Sequence, residues 1–242
     1  MIKLPTFLRK RTVVVDCYTW SKPAAELFYI RKFAAARPDW YDGVSSKSRT
    51  IKNCRGLKQL MATSFVMPET TEAAVKCTSS GDGTFNFDFD FREQTVLELI
   101  QPDTMGEEYW ERVKGAAIFK RIVPWRPICD EPIDFMVHHN SWYPSGPFFP
   151  ARVVTGILDF KYNHATNYFL HSPLQDGLTY NIPPASSITL LTPLTDKRVE
   201  FRCHFDPDKW KLLDDETANT PYLVNNYIKH RRLMEKENKC RR

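Results

Sequence analysis

Hydrophobic and polar residues alternate through much of the chain, and the clearest case is the stretch TFNFDFDF at residues 84–91. Every second residue there is phenylalanine, and the residues between them are asparagine or aspartate. Because successive side chains of a strand point to opposite faces, the pattern predicts a buried aromatic face and a solvated acidic face. Asp88 and Asp90 offer two carboxylates, but Ca²⁺ takes about six to eight oxygen ligands and no D-x-D-x-D-G loop occurs. We therefore interpret the acidic row as solvent-facing.

Short strands are predicted along most of the chain. The β-branched stretch TVVVDCY at 12–18 predicts the first strand, and SFVMP at 64–68 predicts another. A hairpin is predicted around the turn residues 80–83, and further strands at 116–123 and in the segments that follow. Pro193 interrupts the last pair of strands; because proline cannot donate to a sheet ladder, we expect it at a bulge or a sheet edge.

Three segments have the spacing or the end signals of helices. KPAAELFYIRKFAAA at 22–36 places Pro23 in a first turn, and TIKNCRGLKQLMAT at 50–63 has apolar residues at helical spacing. At the end of the chain, Thr220 and the proline after it predict the start of a helix. One stripe of that helix is apolar until Met234, after which its residues are almost all charged.

These elements predict a mainly β (α+β) fold, specifically a jelly-roll-like antiparallel β-sandwich with an N-terminal helical segment and a C-terminal basic helix. We expect a single β-rich domain at 1–219, comprising a mixed lead-in at 12–68 and a sandwich core at 70–213. The basic helix occupies 220–242. At 242 residues the chain is long enough to bury a substantial core.

The net charge of +5 is unevenly distributed. Residues 1–11 carry four basic and no acidic side chains, and residues 220–242 carry seven basic and two acidic ones, so residues 12–219 have a net charge of −4. Such ends can bind phosphates or an acidic protein surface. The candidate partner-binding residues are Arg9, Lys10, Arg11, Lys229, Arg231, Arg232, Lys236, Lys239, Arg241 and Arg242.

The basic C-terminal helix has three interpretations. One is a solubilising tail, and the other two involve a binding partner. We expect docking on another protein subunit, and contact with nucleic acid remains an alternative, although its basic stretch lacks the aromatic residues that stack on bases. No run of residues is apolar enough for a membrane helix. The six cysteines are scattered without C-x-x-C spacing, so we expect reduced thiols in a cytosolic chain.

Two local motifs are candidates for chemistry. His204-x-Asp206 has the spacing found in jelly-roll iron oxygenases, although no suitable second histidine follows it, and a strand end with an Asp-Pro turn is the simpler interpretation. Trp142, Tyr143 and Phe149 lie in an aromatic, proline-rich segment that could form a lip for a sugar or a peptide. The same segment could instead close the end of a sandwich. No nucleophile elbow, phosphate loop or dinucleotide motif occurs, so we expect no cofactor and assign no catalytic residue.

Several short motifs of the sequence, taken together, resemble those of a known family. VVVDCYT, RPDWYDG, TIKNCRGLKQLM, VPW and NIPPASSITLLTPLTDKRVEF are similar to stretches of an uncharacterised β-rich family of tailed phages, notably T4-like phages of marine cyanobacteria. The chain departs from that pattern at Ser186-Ser187, where the family has a turn that contains glycine. The resemblance implies a phage gene expressed in a bacterium and no catalytic residues.

Three functional hypotheses follow. The first is a non-enzymatic virion-associated protein, in the virion or in the cytoplasm of the infected host, that binds other phage proteins through its basic ends and forms oligomers. The second is a jelly-roll metal-dependent oxygenase or cupin-like enzyme that uses His204 and Asp206. The third is a carbohydrate-binding module that uses Trp142, Tyr143 and Phe149.

Overall fold

The computed structural model describes residues 11–47, 50–82, 85–91, 97–99, 116–143 and 151–218, together with the isolated helical residues Arg232 and Lys236. The strands in this part of the chain are β1 (Thr12–Thr19), β2 (Arg31–Lys32), β3 (Phe65–Met67), β4 (Ala73–Ser79), β5 (Phe85–Phe91), β6 (Leu97–Leu99), β7 (Ala116–Arg121), β8 (Arg126–Ile128), β9 (Asp134–His139), β10 (Arg152–Val153), β11 (Gly156–Asp159), β12 (Tyr168–Pro173), β13 (Thr179–Ile182), β14 (Thr189–Pro193) and β15 (Arg198–Phe205). The α-helices are α1 (Lys22–Leu27), α2 (Asp39–Gly43), α3 (Arg55–Thr63) and α4 (Pro207–Ala218), and short 3₁₀ turns cover Phe33–Ala35 and Ile51–Asn53.

The strands form four sheets, with orders β15-β1-β8, β10-β12-β7-β6, β11-β9-β14-β3-β2 and β13-β4-β5. Neighbouring strands are antiparallel except β1 and β15, which run parallel over their full length from Thr12 opposite Arg198 to Thr19 opposite Phe205. The mainly β fold with several antiparallel sheets is therefore as predicted, whereas this strand order does not confirm a jelly roll. None of the described helices is long and apolar enough to cross a bilayer.

One cluster of buried side chains joins all four sheets. It includes Val15 from β1, Val75 from β4, Phe119 from β7 and Phe135 from β9, each 1% exposed or less. A smaller cluster lies between α3 and the inner strands β3 and β14 of the five-stranded sheet. Burying the apolar faces of four sheets in one cluster removes them from water together, so the sheets stabilise each other.

The phenylalanine-rich strand has the orientation that its alternation predicted. Phe87 packs against the main core, with its ring 5.2 Å from that of Phe119. Asn86 and Asp88 are exposed on the other face. The predicted hairpin is also present, because β5 pairs antiparallel with β4 from Phe91 opposite Ala73 to Phe85 opposite Ser79.

The predicted helix at 22–36 is much shorter than expected. It begins at a Ser21 cap, whose side chain accepts a hydrogen bond from the Ala24 N–H at 3.3 Å, and ends at Leu27. The chain then forms β2, which pairs with β3. Buried Ile30 and this strand pairing outweigh the helical propensity of the residues that follow.

Two further predictions were partly right. The segment 50–63 is helical, but Cys54 is extended and divides it into a 3₁₀ turn and α3. Pro193 is the last residue of β14, opposite Phe135 of β9, beyond the point where the shorter β3 pairs with that strand. A proline is tolerated there because no second neighbour needs its missing N–H.

Candidate functional site

The basic N-terminal residue that the structure describes binds the chain's own surface. Arg11 is exposed, and its Nε lies 3.2 Å from Oε1 of Glu131. Glu131 also accepts a short hydrogen bond from Lys197, and these cations lower the pKa of its carboxyl, the Lys197 hydrogen bond most of all. Arg11 therefore has an intramolecular partner; Arg9 and Lys10 lie outside the described residues.

At the other end, Arg232 and Lys236 are helical and exposed. The remaining basic candidates lie outside the described residues: Lys229, Arg231, Lys239, Arg241 and Arg242.

His204 and Asp206 have separate structural partners. His204 Nε2 lies 2.8 Å from Oδ1 of Asp16, and its ring stacks on Tyr18 at 5.1 Å. Asp206 caps α4, because its carboxylate accepts a hydrogen bond from the Lys209 N–H at 2.9 Å. Within the described ranges, no three or more His, Cys, Asp or Glu side chains are grouped so that they could hold a metal ion.

Helix α4 was not predicted, although a local signal for it exists. Asp206 is a favoured N-cap residue and Pro207 a favoured first helical residue. The helix is held to β8 by Asp214, whose Oδ1 accepts hydrogen bonds from Nε and Nη2 of Arg126 at 2.8 and 2.5 Å. The same guanidinium lies over the Trp210 ring, 5.0 Å from its centroid.

The aromatic segment after β9 is anchored to α2. Trp40 Nε1 donates a hydrogen bond to the Trp142 carbonyl at 3.1 Å, and the two rings lie 6.5 Å apart. Tyr143 is half-buried against the main core. Phe149, the third residue of the predicted lip, lies outside the described residues. The structure thus adds Trp40 to the aromatic group, a contact across 102 positions that the sequence could not indicate.

Beside this aromatic group lies a cleft of about 480 Å³. Its polar and aromatic lining consists of Arg31, Arg37, Asp39, Trp40, Tyr143 and Ser187. Clefts of about 300–1,000 Å³ that combine aromatic surface with a few polar groups are typical of small-ligand sites. This is the candidate site that the described residues form most completely.

The turn that borders the cleft contains the only non-glycine residue with positive φ in the described part of the chain. Ala185 has φ 66°, and the Ser186 N–H donates to the Pro183 carbonyl at 3.3 Å. A tight turn is therefore present where the sequence lacks the expected glycine. Hydrogen bonds from the Ala185 N–H to the Glu69 carbonyl, at 2.8 Å, and from the Glu69 N–H to the Ser186 carbonyl, at 2.9 Å, hold it in place.

A charged group lies inside the protein behind this turn. Glu69 and Arg121 are 1% and 0% exposed, and Tyr168, 2% exposed, donates a short hydrogen bond to Glu69. Burial and the neighbouring carboxylate raise the pKa of Tyr168 well above its usual value. Burial lowers the pKa of Arg121, but the charges and hydrogen bonds of Glu69 and Tyr168 together outweigh this, and the net shift is upward. The group is too enclosed to meet a ligand, and we interpret it as structural.

Comparison of the chain with protein-family models, with curated proteins and with solved structures gave no match. The function is therefore argued from the residues themselves.

Proposed function

We propose that the chain is a non-enzymatic structural protein of a phage particle that binds neighbouring protein subunits through its basic C-terminal segment. The observation that carries this proposal is the division of charge: residues 220–242 have seven basic and two acidic side chains, whereas residues 12–219 have a net charge of −4. The phage origin is supported by the resemblance of several short sequence motifs to a family of tailed phages. The protein then belongs to the virion, or to the cytoplasm of the infected bacterium before assembly.

The C-terminal end is favoured over the N-terminal end because of the partners of the described cations. Arg11 already binds Glu131 of the same chain. Arg232 and Lys236 are helical and exposed. An acidic surface on a neighbouring subunit would attract these cations, and the attraction would weaken with salt.

We also propose that the four sheets assemble as a jelly-roll-like sandwich, an arrangement that viral capsid domains use. The shared core, which takes residues from every sheet, supports this arrangement. An experimental structure of the chain within the particle tests it. The four sheets are expected to pack as two opposed layers linked by Greek-key connections, and any other arrangement of the layers would overturn it.

The test of the function uses the full-length chain in the phage that encodes it. Mass spectrometry of purified particles is expected to detect the chain, and particles that lack it would refute the proposal. In pull-downs from infected cells, the double variant Arg232→Glu/Lys236→Glu is expected to lose particle proteins that the unmodified chain retains at low salt. The matched control is Arg55→Glu/Lys58→Glu, a charge reversal of two exposed residues of α3.

A nuclease treatment separates the two kinds of partner. Retention of the particle proteins after nuclease treatment supports direct contact between subunits. If nuclease releases them, the basic segment binds nucleic acid and the proposed contact with subunits is wrong. If the α3 control loses them equally, the interaction depends on overall charge and not on this segment.

A further inference from the structure

We propose that the cleft beside Arg31 binds an acidic sugar, with Arg31 holding its carboxylate and Trp40 and Tyr143 contacting its ring. This goes beyond the proposed subunit contacts, since it uses a different surface and a different kind of ligand. It also differs from the lip predicted from the sequence, because two of its three main residues, Arg31 and Trp40, come from other parts of the chain.

Arg31 is a cation without a counter-ion among the described residues. It lies on β2, the edge strand of the five-stranded sheet, and its side chain is half-buried. Its Nε is buried and has no hydrogen-bond partner. Its guanidinium lies 5.7 Å from the Tyr29 ring centroid, a cation–π contact that orients the group without neutralising it. Arg31 lines the cleft, so an anion bound there would meet a guanidinium that no carboxylate of the described residues pairs with.

The other charges of the cleft indicate a singly charged ligand. Arg37 is already bound by Asp42, with 2.8 Å between Nε and Oδ1, and it also donates to the Ala34 carbonyl at 3.2 Å. Asp39 adds a negative charge to the lining. One unpaired guanidinium therefore remains to meet an anion. A carboxylate matches its single charge and its planar, two-pronged geometry, whereas a doubly charged phosphate would be opposed by Asp39.

The remaining lining residues match the rest of a sugar. Trp40 and Tyr143 supply flat aromatic surface, and the Asp39 carboxylate and the Ser187 hydroxyl can exchange hydrogen bonds with sugar hydroxyls. The volume of about 480 Å³ is within the range of small-ligand sites. A uronic acid carries a carboxylate, a ring and several hydroxyls on one small molecule.

The backbone around the cleft is held in an unusual conformation. Ala185, which also lines it, has a left-handed φ of 66° and is fixed by Glu69 on the far side of the turn. Strained backbone conformations that the surroundings enforce cluster at ligand sites. The turn thus presents a rigid wall to the ligand, which reduces the entropy that binding would cost.

The experiment is calorimetric titration of the full chain with a glucuronic-acid-containing oligosaccharide and with a neutral glucose oligosaccharide of the same length. We expect binding of the acidic probe and much weaker binding of the neutral one. Arg31→Gln is expected to weaken binding of the acidic probe by about tenfold or more, because it removes the charge and the paired donors. Arg55→Gln, at an exposed arginine of α3, is the matched control and is expected to bind as the unmodified chain does.

Competition on the unmodified chain keeps the test independent of variant folding. Glucuronate is expected to displace the acidic oligosaccharide, and glucose and inorganic phosphate are not. Displacement by phosphate at lower concentration than by glucuronate would overturn the sugar assignment. Equal affinity for the two oligosaccharides, or no heat with either from folded protein, would overturn the role of Arg31 and the proposal with it. These outcomes do not depend on the subunit contacts, which pull-downs measure separately.

Discussion

Glu69 and Arg121 form an ion pair in which both side chains are 1% exposed: one carboxylate oxygen, Oε2, accepts from Nε at 2.7 Å and lies 2.6 Å from Nη2 of the guanidinium. The other carboxylate oxygen accepts from Tyr168, and Nη2 also donates to the Thr71 carbonyl at 3.4 Å. The group joins β7 and β12 to the segment after β3. The backbone of Glu69 binds the turn at Ala185, so the pair also positions one wall of the cleft.

We expect Arg121→Met to lower the free energy of unfolding by about 3–5 kcal/mol, because it leaves a buried carboxylate without its cation. Urea unfolding, followed by circular dichroism, measures the change. The double variant Glu69→Leu/Arg121→Met is expected to recover much of the loss, since neither charge is then buried.

The matched control is an exposed ion pair. Lys211 and Asp215 lie 3.1 Å apart on α4 with side chains 72% and 58% exposed. Lys211→Ala is expected to change the free energy of unfolding by less than about 1 kcal/mol. If Arg121→Met lowered the free energy of unfolding by less than about 1 kcal/mol, the buried pair would not stabilise the protein more than an exposed pair does.

The sequence predicted local structure better than it predicted which strands pair. Phe87 and Asp88 could be assigned to faces because alternation is a property of the strand itself. The parallel pairing of β1 with β15 brings Cys17 opposite Cys203, and no local pattern encodes a contact between the two ends of the domain. The length of helix α1 was overestimated for the same reason, because residues predicted to continue the helix form β2 and pair with β3.

At Ala185 we expect replacement by glycine to stabilise the protein. A left-handed conformation costs an L-residue about 1–2 kcal/mol, and glycine avoids this at an entropic cost of about 0.5–1 kcal/mol. Ala185→Gly is therefore expected to raise the free energy of unfolding by about 0.5–1 kcal/mol, measured by urea unfolding. The control is Ala25→Gly within α1, which is expected to lower it by about 1 kcal/mol. A loss at both positions would argue against strain at Ala185.

For α4, we expect Asp206→Ala to destabilise the protein by about 1 kcal/mol, because the Lys209 N–H loses its acceptor. Thermal unfolding measures the loss. Asp206→Asn keeps a side-chain oxygen at the cap and is expected to behave nearly as the unmodified chain does. If asparagine destabilises as much as alanine, the charge of Asp206 has a role besides capping.

The candidate site was only partly accessible to sequence reasoning. The aromatic residues Trp142 and Tyr143 were identified from their composition, and both lie at or beside the cleft. Arg31 was missed, because an arginine between Ile30 and Lys32 in a predicted helix looks like a solvated charge. Its significance comes from its place in the wall of the cleft without a counter-ion among the described residues, which only the tertiary structure reveals.

Stability is expected to fall with acidification because of His139 at the end of β9. Burial, together with the charges of Arg152 and His138, lowers the pKa of His139 from about 6.5 to about 4. Between those values the unfolded chain binds a proton that the folded chain does not, so the free energy of unfolding decreases as the pH falls through this window and is largest above it. Urea unfolding at a series of pH values measures the slope. His139→Gln is expected to reduce it, and the double variant His138→Gln/His139→Gln to reduce it further, because burial also lowers the pKa of His138. An unchanged slope in both variants would assign the acid sensitivity to other groups.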